Sequence, residues 1–135
     1  MPLSYLLDTN ICIYIMKQKP KSVLDKFEQL AVGMVGMSAI TYGELLYGAQ
    51  KSNNSRKAEK IIHQICDYIP PLPISLKVPE FYAELRASLE KQGKIIGNND
   101  LWIAAHCLEL DTTLVTNNEK EFSRVKHLKL ENWVQ

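Results

Sequence analysis

Acidic and carboxamide side chains recur in this sequence at one kind of place, beside the end of a stretch that could form a strand. Asp8 follows the apolar run LSYLL, and Glu44 lies early in the helical segment AITYGELLYGAQK. Asp100 follows the loop GKIIGNN, and the run NNEKE follows the β-branched segment TTLVT. Because ligands of open parallel α/β sheets bind beyond the carboxyl ends of the strands, we expect these side chains to converge.

Carboxylates that converge repel one another unless a cation lies among them. All-oxygen donors suit Mg²⁺ or Mn²⁺, and Mg²⁺ usually shares a substrate phosphate, so the pattern indicates phosphoryl chemistry. The cysteines Cys12, Cys66 and Cys107 are odd in number and widely spaced. Neither a disulfide framework nor a zinc site is therefore expected.

Each acid also has a purely structural interpretation. Asp8 could cap the following helix, and Asp100 could favour the positive end of its own helix; taken singly, these are the better interpretations. For Glu44 a solvated helix face and a ligand are equally good. The three acids together, at compatible positions of the predicted sheet, favour a functional site.

The hydrophobic pattern predicts strands that alternate with helices. Strands are predicted at 4–7, 34–38, 72–74 and 113–116, with a strand-like segment at 127–133. Helices are predicted at 10–17, 22–30, from Thr41, at 56–66, at 79–92 and from Asp100, with a helical turn at 119–122. This order indicates an α/β fold of three layers, α/β/α, around a central, mainly parallel twisted sheet of four to five strands.

The length and composition fit one domain, 1–135. The chain has 135 residues, of which 46% are hydrophobic and 23% charged, as in ordinary globular proteins. It carries no apolar run of membrane-spanning length and no secretory signal, so we expect a cytoplasmic protein without a membrane partner. The net charge of +1 neither suggests nor excludes nucleic acid.

Four segments, in this order, resemble the PIN-domain ribonucleases, and most closely the VapC toxins of bacterial toxin–antitoxin pairs. They are LLDTNICIYIMK, SAITYGELLYGAQKS, GKIIGNNDLWIAAHCLEL and LVTNNEKEFSRVKHLKLENW. The resemblance covers essentially the entire chain. It implies a single PIN domain and metal-dependent endonucleolytic cleavage of RNA, with the transfer RNA anticodon stem-loop as a plausible target and inhibition of translation as the result.

The resemblance assigns catalytic and metal-binding roles to Asp8, Glu44 and Asp100. Many PIN domains place a fourth aspartate where this chain has Asn117 and Asn118, so we choose Glu121 for that role, with Glu119 as the alternative. Supporting roles beside the metal ligands fit four polar residues: Thr9, Asn10, Thr116 and Asn118.

A metal-activated water attacking phosphorus would leave a 5′-phosphate and a 3′-hydroxyl, with Asp100 or Glu121 helping to take the proton of the water. RNA also requires cations around the site. The candidates are Lys51, Arg56, Lys57, Arg86 and Lys94, although basic runs are often only solvated helix faces. Tyr42, Tyr47 and Trp102 are candidates for stacking on unpaired bases, but for Trp102 we expect a core position.

The resemblance also implies partners: a VapB-like antitoxin segment across the site, a second copy of the chain in a homodimer, and an RNA substrate. Two other functions remain open. An aspartyl-phosphate phosphatase would use Asp8 as its nucleophile, but Asn10 stands where its second acid would be. A catalytically silent module that only binds RNA or protein would fit the missing aspartate at 117 or 118.

Overall fold

Five short parallel strands form the central sheet of the computed structural model, which describes residues 2–135. The strands are β1 (Tyr5–Leu7), β2 (Val35–Ser38), β3 (Pro71–Leu72), β4 (Thr113–Val115) and β5 (Lys129–Glu131). Their order across the sheet is β3-β2-β1-β4-β5, and every neighbouring pair is parallel. The predicted parallel sheet is confirmed, with five strands.

Helices connect the strands and cover both faces of the sheet. They are α1 (Thr9–Lys17), α2 (Lys21–Glu28), α3 (Ala39–Lys51), α4 (Ser55–Cys66), α5 (Val78–Lys91), α6 (Asn98–Leu110) and α7 (Glu119–Phe122). Parallel strands require such crossovers, because a tight turn can join only antiparallel neighbours. The three-layer α/β/α prediction is confirmed.

The core consists of two apolar clusters, one on each face of the sheet. Leu7 belongs to the cluster that includes Ile11, and Leu6 belongs to the cluster that includes Ile103. Successive residues of a strand point to opposite faces, so the central strand contributes to both clusters. Leu6 and Leu7 are both fully buried, which fixes the register of β1 and the position of the residue that follows it.

Two helices begin two residues earlier than the sequence predicts. Helix α3 begins at Ala39 and not near Thr41, because the Ser38 hydroxyl accepts a hydrogen bond from the Ile40 N–H at 3.1 Å and so caps the helix. Helix α6 begins at Asn98, which places Asp100 inside its first turn and not at its opening residue. The proline-rich segment forms only the two-residue strand β3.

The prediction of a core position for Trp102 is wrong. Trp102 is half-buried and stacks on Tyr82, with ring centroids 3.8 Å apart and planes 7° apart. Tyr42 packs against the core, whereas Tyr47 is 63% exposed.

The three cysteines are free. In residues 2–135 no helix has the length and apolar character needed to cross a bilayer.

Candidate active site

The pairing of β1 with β4 sets two polar side chains next to each other at the carboxyl edge of the sheet. Leu7 pairs with Val115, and the N–H of Asp8 donates to the Val115 carbonyl at 3.0 Å. Asp8 and Thr116, the residues that follow, are both buried. The central strands therefore deliver a carboxylate and a hydroxyl to one point.

Asp8 is only 5% exposed and serves as the N-cap of α1, since its Oδ1 accepts from the Ile11 N–H at 3.0 Å. Burial raises the pKa of Asp8, while hydrogen bonds from the Thr116 hydroxyl and the Ile11 N–H oppose the rise and the charge of Glu44 adds to it. The capping interpretation is thus correct for one oxygen. It does not exclude a second role, because a carboxylate has a second oxygen and this one lies among other acids.

Glu44 joins α3 to two other helices. Its Oε1 accepts from the Thr9 hydroxyl at 2.5 Å, and its Oε2 accepts from the Asn99 amide at 3.4 Å. Thr9 lies in α1 and Asn99 in α6. These contacts orient the half-buried carboxylate toward the carboxyl edge of the sheet, so the solvated-face interpretation of Glu44 does not describe it.

Asp100 and Glu121 lie together against Gly97. The Gly97 N–H donates to Glu121 Oε1 at 2.8 Å, and a Cβ atom built on Gly97 would lie 3.5 Å from Asp100 Oδ2 and 3.6 Å from Glu121 Oε1. Burial raises the pKa of Asp100 to about 7, and the hydrogen bond and charge of Glu121 contribute to the rise.

Glu121 has the opposite shift. Burial by itself raises its pKa, but hydrogen bonds from Gly97, the Asn118 amide and Asp100, together with the charge of Arg124, outweigh burial and lower it. Glu121 is therefore the charged partner of the pair, and Asp100 is the one that retains a proton.

The four predicted acids form one neighbourhood. The charges of Glu44 and Asp8 also raise the pKa of Asp100, so the Asp100 carboxyl interacts electrostatically with all three other acids. In residues 2–135, however, no three histidine, cysteine, aspartate or glutamate side chains are grouped tightly enough to enclose an ion as they stand. The donors are all carboxylate oxygens, and their charges raise the pKa values of Asp8 and Asp100, so their chemistry fits a hard divalent cation.

The structure distinguishes the two candidates for the fourth acid. Glu119 accepts from the Asn132 amide at 3.1 Å, and the same amide donates to Asn117 at 3.2 Å. Only Glu121 reaches Gly97 and Asp100.

Of the four polar residues expected beside the acids, three contact them through side chains. Thr9 donates to Glu44 and Asn118 donates to Glu121 at 3.0 Å, while the Thr116 hydroxyl is buried beside Asp8 and lowers its pKa. Asn10 is exposed and contributes through its backbone N–H to Asp8.

Sequence reasoning missed two groups that hold the acids, the Asn99 amide and the Gly97 N–H. The run GNND was the available signal, because glycine and asparagine are common where a backbone or amide group must approach a polar partner closely.

The basic residues expected to contact RNA are unequally placed. Lys51 lines a groove that also contains Glu44 and Asn99. Arg86 donates to the Tyr82 hydroxyl at 2.8 Å, and that hydroxyl donates to Asn98, the first residue of α6.

The other three basic residues lie outside both this groove and this chain of hydrogen bonds. Arg56 and Lys57 lie exposed on α4, and Lys94 lines a depression beside Arg124.

Comparison with known proteins bears on the whole chain. A family model described as the PIN domain matches residues 5–128. Ribonuclease VapC2 of Rickettsia felis is 42% identical over 130 residues, which cover 96% of this chain and 97% of that protein. The tRNA(fMet)-specific endonuclease VapC of Shigella flexneri is 37% identical over 131 residues, with coverage of 97% and 98%.

Solved structures show the same similarity to VapC proteins as the sequence comparison does. A chain in the structure of VapBC2 from Rickettsia felis, bound to a DNA fragment from their promoter, is similar with a TM-score of 0.91 at 41% identity, covering 98% of this chain and 100% of that one. A chain of VapBC-1 from nontypeable Haemophilus influenzae gives a TM-score of 0.91 at 40% identity, with the same coverage.

Proposed function

Because this chain belongs to the PIN-domain family and, within it, to the VapC ribonucleases, we propose that it is the toxin of a toxin–antitoxin pair and acts as a Mg²⁺-dependent endoribonuclease. The observation that carries the proposal is the convergence of Asp8, Glu44, Asp100 and Glu121 at the carboxyl edge of the parallel sheet. Four acids from four separate segments form one neighbourhood there, and the capping of α1 by Asp8 does not account for the presence of the other three.

The four carboxylates would hold the cation, with Mn²⁺ as a substitute for Mg²⁺. Such an ion supplies Lewis-acid activation of a water and stabilises charge on the phosphate oxygens.

The residues around the acids hold them ready for this chemistry. Thr9 and Asn99 fix both oxygens of Glu44, and the Ile11 N–H and Thr116 fix Asp8. Groups that are oriented before the substrate arrives need no reorganisation during the reaction.

Asp100 and Glu121 are suited to proton transfer. Burial, together with the hydrogen bond and charge of Glu121, raises the pKa of Asp100 to about 7. A group with a pKa near the working pH exchanges protons most effectively. We assign this pair to accept the proton of the attacking water, with Glu121 as the charged carboxylate and Asp100 as an acceptor only after it has released its own proton.

For the substrate we propose transfer RNA, cut in the anticodon stem-loop, with inhibition of translation in the cytoplasm as the consequence. Relatives from Shigella flexneri and Salmonella typhimurium, 37% and 31% identical, carry the name tRNA(fMet)-specific endonuclease, which supports this choice. For the partner we propose a VapB-like antitoxin that covers the acids, on a homodimer of this chain. The VapBC complexes among the similar structures support this assignment.

No contact in residues 2–135 favours the two other functions. A phosphatase would need a second acid at position 10, where the exposed Asn10 offers only its N–H. A silent module would follow from a missing fourth acid, and the contact of Glu121 with the Gly97 N–H supports our choice of Glu121 for that role.

The direct test is incubation of the purified chain with transfer RNA in Mg²⁺, in EDTA, and in EDTA followed by excess Mg²⁺. We expect cleavage in the first and third reactions only, and products with 5′-phosphate and 3′-hydroxyl ends. Cleavage that persists in EDTA, or a 2′,3′-cyclic phosphate on the product, would contradict the proposal.

A further inference from the structure

A groove leads away from Glu44 along the exposed face of α3. It has a volume of about 620 Å³, and its lining includes Thr9, Ile40, Glu44, Tyr47, Lys51 and Asn99. The α3 residues in this lining are spaced by three or four, so they form one face of the helix, while Thr41, Leu45 and Ala49 are buried on the opposite face. The groove thus continues the acidic site outward along a single helix.

Two glycines of α3 keep the groove open. Gly43 and Gly48 both line it, and a Cβ atom built on either would meet nothing within 4 Å. Glycine inside a helix is unfavourable relative to alanine, and here no neighbouring atom requires it. The fold gains nothing from these glycines, whereas a ligand that lies against the helix backbone would.

The outer end of the groove carries an exposed aromatic ring and a cation. Tyr47 is 63% exposed, and Lys51 Nζ lies 4.7 Å from the centroid of its ring. An exposed ring can stack on a base only if the face of that base is free, so this arrangement suits an unpaired nucleotide. Lys51 lies seven residues from Glu44, or about 10 Å along the helix axis, and its Nζ lies over the ring of Tyr47, one helical turn nearer Glu44.

We propose that this α3 groove binds an unpaired nucleotide of the RNA substrate next to the cleaved bond, with the base stacked on Tyr47 and a phosphate held by Lys51. This inference rests on the proposed function for the position of the cleaved bond. It makes Tyr47, Lys51 and Gly48 determinants of substrate binding, with the acids left to perform the chemistry.

An RNA occupant fits better than a peptide because of the charges. The inner end of the groove contains Glu44, which belongs to the acidic site, and the outer end contains Lys51. A nucleotide whose reacting phosphate faces the cation-binding acids would have its next phosphate near Lys51, so one charged strand satisfies both ends.

Binding can be measured apart from cleavage in an Asp100→Asn background. The probe is a fluorescently labelled RNA hairpin with an unpaired loop, followed by fluorescence anisotropy in Mg²⁺, and a blunt RNA duplex of the same composition is the second probe. We expect Tyr47→Ala to weaken hairpin binding about tenfold, because stacking on an aromatic ring contributes that much per base. Tyr47→Phe should bind the hairpin with the affinity of the parent chain. All the variants should bind the duplex with similar affinity.

Gly48→Ala provides a readout that a structural role would not produce. We expect it to raise the melting temperature by a few degrees, since alanine favours the helix, and yet to weaken hairpin binding by narrowing the groove. Lys51→Gln should weaken binding and reduce its salt dependence. The matched control is Tyr68→Ala. Tyr68 is 56% exposed and lies beside Val35, the first residue of β2, at the amino ends of the strands and away from the acids.

In the active chain, Tyr47→Ala should raise KM and leave kcat unchanged. Unchanged hairpin binding and KM in Tyr47→Ala would overturn the nucleotide site while leaving the proposed nuclease intact. Unchanged RNA binding with weaker inhibition by the antitoxin would assign the groove to a peptide and also overturn it. If the wild-type chain cuts no RNA but hairpin binding still depends on Tyr47, the nuclease proposal fails and the nucleotide site stands.

Discussion

The carboxyl groups of Asp100 and Glu121 hydrogen-bond to each other beside Gly97, and their pKa values move in opposite directions. The Gly97 N–H and the Asn118 amide favour the charge on Glu121, so the shared proton stays with Asp100. Two like acids thus acquire different roles from their hydrogen-bond partners. This asymmetry is a property of the local geometry, since neither residue type differs enough to cause it alone.

Replacing Asp100 should stabilise the fold and abolish the activity. The folded state raises the pKa of Asp100 from 3.8 to about 7, so it binds this proton more tightly than the unfolded chain does. The resulting stabilisation is present below pH 3.8 and is lost as the pH rises through about 7. In EDTA, wild type should therefore lose stability relative to Asp100→Asn as the pH rises from 3.8 to about 7.

Urea unfolding of both chains at several pH values measures this difference, and a transfer RNA cleavage assay measures the activity. Equal pH profiles for the two chains would show that folding does not raise the pKa of Asp100.

Two substitutions at Asp8 separate its capping role from its role at the site. Asparagine can still accept the Ile11 N–H, whereas alanine cannot, so Asp8→Asn should be about 1 kcal/mol more stable than Asp8→Ala. Both variants should lose cleavage, since neither retains the carboxylate. Thermal unfolding, monitored by circular dichroism, gives the stabilities. If Asp8→Asn still cuts RNA, capping of α1 is the only role of Asp8.

The fourth acid can be identified with a matched pair of variants. Glu121→Gln can still accept from the Gly97 N–H but carries no charge, and we expect cleavage to fall by more than about tenfold. Glu119→Gln changes the same residue type two positions earlier, where the contact is with Asn132, and should retain activity. Cleavage rates at saturating Mg²⁺ compare them, and a larger loss in Glu119→Gln would reverse the assignment.

His106 should make the stability of the fold sensitive to mild acid. It is 1% exposed, its Nδ1 lies 2.8 Å from the Ser38 hydroxyl, and burial lowers its pKa below 6.5 although Glu109 opposes the shift. The unfolded chain then binds the proton more readily than the folded chain. The contribution of His106 to stability is present above about pH 6.5 and is lost as the pH falls toward the lowered pKa.

The free energy of unfolding should therefore decrease more steeply between about pH 7.5 and pH 5.5 in wild type than in His106→Asn. The comparison of the two slopes removes the contribution of the other acids. Parallel slopes would mean that the pKa of His106 is the same in the folded and the unfolded chain.

The sequence by itself determined the order of the elements and the positions of the strand ends. Leu6 and Leu7 are apolar in succession, as a strand buried on both faces requires, and this placed Asp8 at the edge of the sheet before any coordinates were known. Glu44 could be predicted for the same reason, since the helix that carries it begins directly after a buried strand. These features depend on residues that are close together along the chain, so the local hydrophobic pattern is enough to predict them.

Only the tertiary structure decided which groups hold the acids and which surfaces surround them. The sequence left Glu119 as an alternative to Glu121, and the contact that favours Glu121 is a bond to Gly97, 24 residues away. The support of Glu44 depends on Asn99, 55 residues away. The half-buried stack of Trp102 on Tyr82 likewise joins two helices. Such contacts follow from how α3, α5, α6 and α7 pack, and no local pattern in one sequence encodes the packing of segments that are distant along the chain.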